Sequence, residues 1–221
     1  MRICPAKVSS PCSTITSMSD IICITNRTLC HGGFLAQLEK IASAHPRALV
    51  LREKDLSEDE YSALAIQVME ICRRYGVQCI LHSFYRVAEE LGADAVHLPL
   101  PLLRQMPDSD KQKFRIIGAS CHSTADAAEA KSLGAGYITL GHIFATDCKK
   151  GLAPRGLGLL GEVCRAVDIP VYAIGGISAD NIESVRRSGA SGACVMSGLM
   201  TCNAPSAYLE KMAKGAVCHE I

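Results

Sequence analysis

Eight short apolar runs punctuate the chain: IICIT (21–25), ALVLRE (48–53), QCILHS (78–83), AVHLP (95–99), RIIGASC (115–121), YITLGHI (137–143), VYAIGGI (171–177) and GACVMSG (192–198). Their apolar cores are continuous rather than alternating, which predicts strands buried on both faces, as in a parallel sheet. Between the runs the apolar positions take helical spacing, as in GFLAQLEKIASA, SEDEYSALAIQVMEICRRYG and TADAAEAKSLGA. Several of these stretches open on a cap residue (Ser57, Ser123 or Thr124, Ser178) and close on glycine (Gly76, Gly134, Gly189). Eight strand-helix repeats in about 200 residues predict an α/β fold, a (β/α)8 TIM barrel in a single domain. A doubly wound open sheet is the alternative, but the G-x-G-x-x-G turn it wants after the first strand is missing. The expected barrel covers 20–215. A mobile extension over 1–19, rich in Ser, Thr and Pro and without periodicity, precedes it, and a short tail over 216–221 follows.

Composition narrows the function. The 23 basic and 22 acidic side chains are scattered and leave a net charge of +1, so the chain lacks the footprint of a nucleic-acid binder. No apolar run reaches the roughly 18 residues of a membrane span, and the first 20 residues hold no signal-peptide core, so a cytoplasmic protein with no membrane partner is expected. Twelve cysteines form no C-x-x-C pair and mostly fall inside apolar runs, which reads as buried reduced thiols rather than disulfides or a zinc cluster.

In a barrel the active site lies where the strands end. Those ends carry Thr25, Asn26 and Arg27; Arg52, Glu53, Lys54 and Asp55; His82 and Ser83; His122 and Ser123; and His142, Thr146, Asp147, Lys149 and Lys150. Gly175-Gly176 and Ser197-Gly198 follow the last two strands, where bare backbone N–H groups and the start of a helix near Ser178 would hold a phosphate. The loop ATDCKKGLAPRG, with Lys149, Lys150 and Arg155 between glycines, has the composition of a lid over an anionic substrate.

Four histidines, His82, His97, His122 and His142, lie at the ends of strands 3 to 6, an arrangement that raises a metal-dependent hydrolase. No H-x-H pair occurs, so no metal site is expected. His97, between Val96 and Leu98, reads as a packed histidine, and His82 similarly. His122 and His142 are the catalytic candidates, because their strands adjoin the expected phosphate site and Ser123 and Thr146 are at hand to orient a ring. Cys121 and Cys148 have no activating base beyond these histidines.

With those positions set out, LREKD (51–55), VHL (96–98), IGASCHS (117–123), AIGGI (173–177) and VMSG (195–198) together resemble the thiamine phosphate synthase-like barrels. GHIFATDCKKGL with Arg155-Gly156 is similar to the thiazole tautomerase (TenI) branch. The resemblance implies a carboxylated thiazole phosphate as substrate, isomerised from its exocyclic-alkene form to the aromatic ring. It implies His122 as base and then acid, phosphate on Gly175, Gly176, Ser197 and Gly198, and Lys149 or Arg52 facing the carboxylate. Arg52 and Lys54 match residues the synthases use on a pyrimidine pyrophosphate. The synthases' two magnesium-binding aspartates are replaced here by Ser83 and Leu102. No cofactor is therefore expected, with magnesium required only if the chain is a synthase. A non-catalytic regulator that binds thiazole phosphate is the third reading. A homo-oligomer is compatible with the sequence.

Overall fold

The computed structural model describes residues 20–146, 149 and 151–215; the expected extension and tail, with Asp147, Cys148 and Lys150, lie outside the described residues. Eight parallel strands close into a barrel in sequence order. They are β1 (Ile21–Ile24), β2 (Ala48–Leu51), β3 (Gln78–His82), β4 (Ala95–Pro99), β5 (Ile116–Cys121), β6 (Tyr137–Gly141), β7 (Val171–Ile174) and β8 (Gly192–Val195). Around them run α1 (Phe34–Ser43), α2 (Glu58–Tyr75), α3 (Tyr85–Glu90), α4 (Leu100–Gln105), α5 (Asp108–Lys111), α6 (Thr124–Ser132), α7 (Gly156–Ala166), α8 (Ile182–Arg187), α9 (Ser197–Thr201) and α10 (Pro205–Lys214). Each apolar run holds one strand, and the chain is the single TIM barrel expected. Most runs overreach their strand at the carboxyl end, because the polar and glycine residues there are already loop.

The two strand faces bury against different partners. One set of side chains packs outward under the helices; the other, including Ile22, Ala48, Val50, Ile80, Tyr137, Tyr172 and Cys194, fills the barrel interior. Helix ends follow local chemistry. Ser57 and Glu60 form a reciprocal capping box at the start of α2, and Gly76 ends it in the left-handed conformation. Ser178 does not start a helix. Its backbone N–H donates to Asn181 Oδ1 at 2.9 Å, and α8 begins at Ile182.

A polar layer crosses the interior just below the mouth. His82, His97, Gly118 and Tyr137 are neighbours in register across β3 to β6. His97 is 3% exposed, with Nδ1 3.0 Å from the Tyr137 hydroxyl and Nε2 2.9 Å from Ser120 Oγ. Among the described residues the buried phenol has no other acceptor, so Tyr137 donates to Nδ1, and the Nε2–H of His97 donates to Ser120. Burial holds both inner imidazoles neutral. It pushes His97 down to about 3, with Arg52 adding to the effect, and His82 down to about 2, helped by His97, Arg52 and Lys54.

This burial carries a pH signature. Unfolding restores both rings to about 6.5, so between roughly pH 3 and 6.5 the unfolded chain binds up to about two more protons than the folded one. Their contribution to stability is complete above about pH 6.5 and is lost as pH falls from there. Denaturant unfolding at pH 7 and pH 5 should show that loss, and His97→Gln should reduce the proton uptake by about one.

Candidate functional site

A cavity of about 340 Å³ opens at the carboxyl ends of the strands, within the range of small-ligand sites. Of the eleven residues expected at a site, ten line it: Arg52, Lys54, His122, His142, Thr146, Lys149, Gly175, Gly176, Ser197 and Gly198. Ser123 does not. It is the N-cap of α6, and its hydroxyl accepts from Asp126 N at 3.1 Å, which turns the side chain toward the helix. His82, Ser120, Thr139, Ile174 and Met196 also line the cavity without having been anticipated.

Strand geometry selects the basic residues. Side chains alternate in direction past the end of β2, so Arg52 and Lys54 reach the cavity while Glu53 turns away. Glu53, 3% exposed, accepts from Thr25 Oγ1 at 2.6 Å and from the backbone N–H of Arg27 at 3.1 Å. Arg27 in turn forks onto Asp55 at 2.7 and 2.6 Å. These acids are committed outside the cavity, and among the described residues no Asp or Glu lines it. Burial, followed by the charges of Arg52 and Lys149, holds the Lys54 ammonium below its usual range. Crowded cations with no carboxylate among the described lining residues make this end of the cavity suited to an anion.

The opposite rim is backbone. Gly175 and Gly176 have φ of 98° and 66°, and a Cβ on Gly176 would lie 2.8 Å from Phe144 Cβ. Among the described residues the N–H groups of Gly175, Gly176, Ser197 and Gly198 donate to no protein acceptor. The helix expected to reinforce this rim from Ser178 starts four residues later, so the loop amides themselves are the donors on offer.

Two imidazoles lie between these ends. His122 Nδ1 is 2.8 Å from the Gly141 carbonyl, which can only accept, so Nδ1 carries the proton and a neutral ring has its lone pair on Nε2. Arg155 Nε donates to the same carbonyl at 3.0 Å, fixing the start of the β6 loop. His142 Nε2 donates to Leu152 O at 3.3 Å. Cys121 also lines the cavity, but burial pushes its thiol up to about 12, leaving no thiolate to act as a nucleophile.

Magnesium does not fit this donor set. Ser83, with φ of 68°, holds its hydroxyl 2.7 Å from His82 Nδ1, and Leu102 packs in α4 against the apolar core. Neither supplies the carboxylate oxygen that magnesium takes from proteins. Among the described residues no three His, Cys, Asp or Glu side chains are grouped to hold a metal ion.

The family model described as thiamine monophosphate synthase matches residues 21–199, from the first strand into α9. The chain belongs to this family. Among curated family relatives, it is 37% identical over 172 residues to the putative thiamine-phosphate synthase 2 of Aquifex aeolicus, covering 76% of this chain and 91% of that one. It is 34% identical over 184 residues to the thiamine-phosphate synthase of Clostridium novyi, covering 80% and 88%. A solved structure named as thiamine phosphate pyrophosphorylase from Pyrococcus furiosus superposes with a TM-score of 0.77 at 29% identity, over 90% of this chain and 95% of that one. No helix among the described residues is long and apolar enough to cross a membrane.

Proposed function

We propose that this family member is a thiazole tautomerase, isomerising an exocyclic-alkene carboxythiazole phosphate to the aromatic carboxythiazole phosphate without a metal. The observation that supports it is the His122 ring, its Nδ1–H on Gly141 and its Nε2 lone pair available at a cavity with no described carboxylate. Nε2 removes the proton from ring carbon 2, and the resulting imidazolium returns a proton to the exocyclic carbon. One C–H bond breaks and one forms, the exocyclic double bond moves into the ring, and net composition and charge are unchanged. The negative charge that develops when the first proton leaves is stabilised by Lys149 or Arg52 at the carboxylate. The loop amides of Gly175 and Gly176, with those of Ser197 and Gly198, hold the phosphate, and Lys54 and Thr146 close the walls. His142 is the second imidazole available for proton exchange or substrate support.

Pyrophosphate displacement is the second reading, favoured by the names of the relatives and by Arg52 and Lys54. Paired assays separate the two. The tautomerase aromatises the alkene substrate in the presence of chelator and releases no pyrophosphate from hydroxymethylpyrimidine pyrophosphate, thiazole phosphate and magnesium. The reverse result would make the chain a synthase, and inactivity in both with retained phosphate-ligand binding would make it a binding protein.

A further inference from the structure

His82 is an uncharged imidazole on the cavity wall that the acid–base scheme leaves unused. It lies in register with His97, one residue past the Leu51–Leu81 pair, beside the Arg52 end of β2. Its position is fixed from three sides. Its backbone N–H donates to Tyr61 Oη at 3.0 Å, its ring stacks on His97 at 5.6 Å, and its Nδ1 lies 2.7 Å from Ser83 Oγ. Nε2 has no partner among the described residues. Because every fully buried side-chain polar atom there has one, Nε2 faces the open cavity.

We propose that His82 Nε2–H, with Arg52 and Lys54, forms the carboxylate end of the substrate site and makes this cavity selective for carboxylated over decarboxylated thiazole phosphates. The inference rests on the tautomerase reading for the identity of the ligand. On a thiazole ring, substituents at carbons 2 and 5 point in nearly opposite directions. With the phosphate arm of carbon 5 on the β7–β8 amides, the carboxylate of carbon 2 is carried across the barrel toward β2 and β3. His122, just past the end of β5 and between them, then flanks the ring. An anion at Nε2 selects the tautomer with the proton there, and the Ser83 hydroxyl, 2.7 Å from Nδ1, then serves as the donor to Nδ1. Beside the cations Arg52 and Lys54, a neutral donor adds a directional hydrogen bond to the carboxylate without crowding in a third charge.

Calorimetric binding of the aromatic carboxythiazole phosphate and of its decarboxylated analogue tests this without turnover, so it is independent of whether the alkene substrate reacts. Wild-type protein should prefer the carboxylated compound. His82→Phe, which keeps a stacked ring, should cut that preference by about tenfold through the first compound alone, and His82→Gln should restore most of it. If His82→Phe does not fold, 15N spectra of the wild-type imidazoles decide: the Nε2–H of His82 should become protected on binding the carboxylated compound and not the other. No preference in the wild type, no binding of either compound, or an unchanged preference or Nε2 signal would overturn the assignment.

Discussion

Replacing His122 by asparagine is expected to slow isomerisation by about a thousandfold, in the middle of the range that positioned acid–base groups contribute. The carboxamide can neither take a proton from carbon 2 nor store it, so both half-reactions lose their carrier. Binding of the aromatic product should persist, because the amides of the β7–β8 rim and the cations at the other end are untouched. Stability should persist too. His122 is exposed, and its bonds are one from its ring to Gly141 O and one from its backbone N–H to Asp126 Oδ2. A melting temperature within about 2 °C of wild type, with kcat reduced and product affinity retained, is the expected combination. Loss of affinity in step with kcat would place His122 in binding rather than in proton transfer.

Gly118→Ala is expected to be among the most destabilising single methyl additions in the barrel. Gly118 lies between His97 and Tyr137 in the register of β4, β5 and β6. A Cβ there would fall on the Tyr137 ring and 2.5 Å from His97 Nδ1. The bare Cα is what lets the phenol reach across β5 to the imidazole. Adding the methyl forces overpacking and separates two buried polar groups, each left without a substitute partner. A loss of about 3 kcal/mol, seen as a fall of roughly 6–12 °C in melting temperature, follows. Ser120 would lose its oriented donor at the same time, so residual folded protein should bind ligand more weakly. A variant as stable as wild type would mean that the Tyr137–His97–Ser120 chain is not the organising feature of the interior.

The barrel was legible because two-sided burial leaves a simple trace: IICIT, QCIL and YITL are too apolar and too short to be anything but enclosed strands. The same property hid the cavity wall. When both faces of a strand are apolar, the pattern does not say which alternate positions point inward, and that parity is set only when β8 closes on β1. Ser120 and Thr139 therefore passed as ordinary strand residues, although His122, two positions beyond Ser120, fixes the direction. His82 read as a packed histidine, and it is largely buried, but its one open nitrogen faces the ligand space. Ser123 misled for the opposite reason: a serine next to a candidate base is also a strong N-cap, and capping took its hydroxyl. Glu53 stood among polar strand-end residues with nothing to separate it from Arg52 and Lys54, and only the fold shows its carboxylate closed off by Thr25 and Arg27. At Ser178 a turn closed by Asn181 replaced the predicted helix start, a local hydrogen bond that cap propensity does not distinguish from a cap.

The central claim is that one imidazole moves a proton between two carbons without a metal. It is tested most directly by NMR of the exocyclic-alkene carboxythiazole phosphate in D2O with chelator present, in wild-type protein and His122→Asn. The account predicts conversion to the aromatic ring, fast in the wild type and nearly absent in the variant, with deuterium at the former exocyclic carbon in proportion to how far the His122 imidazolium exchanges with solvent before it delivers its proton. Absence of acceleration by the wild type, or the same rate with the variant, would contradict it.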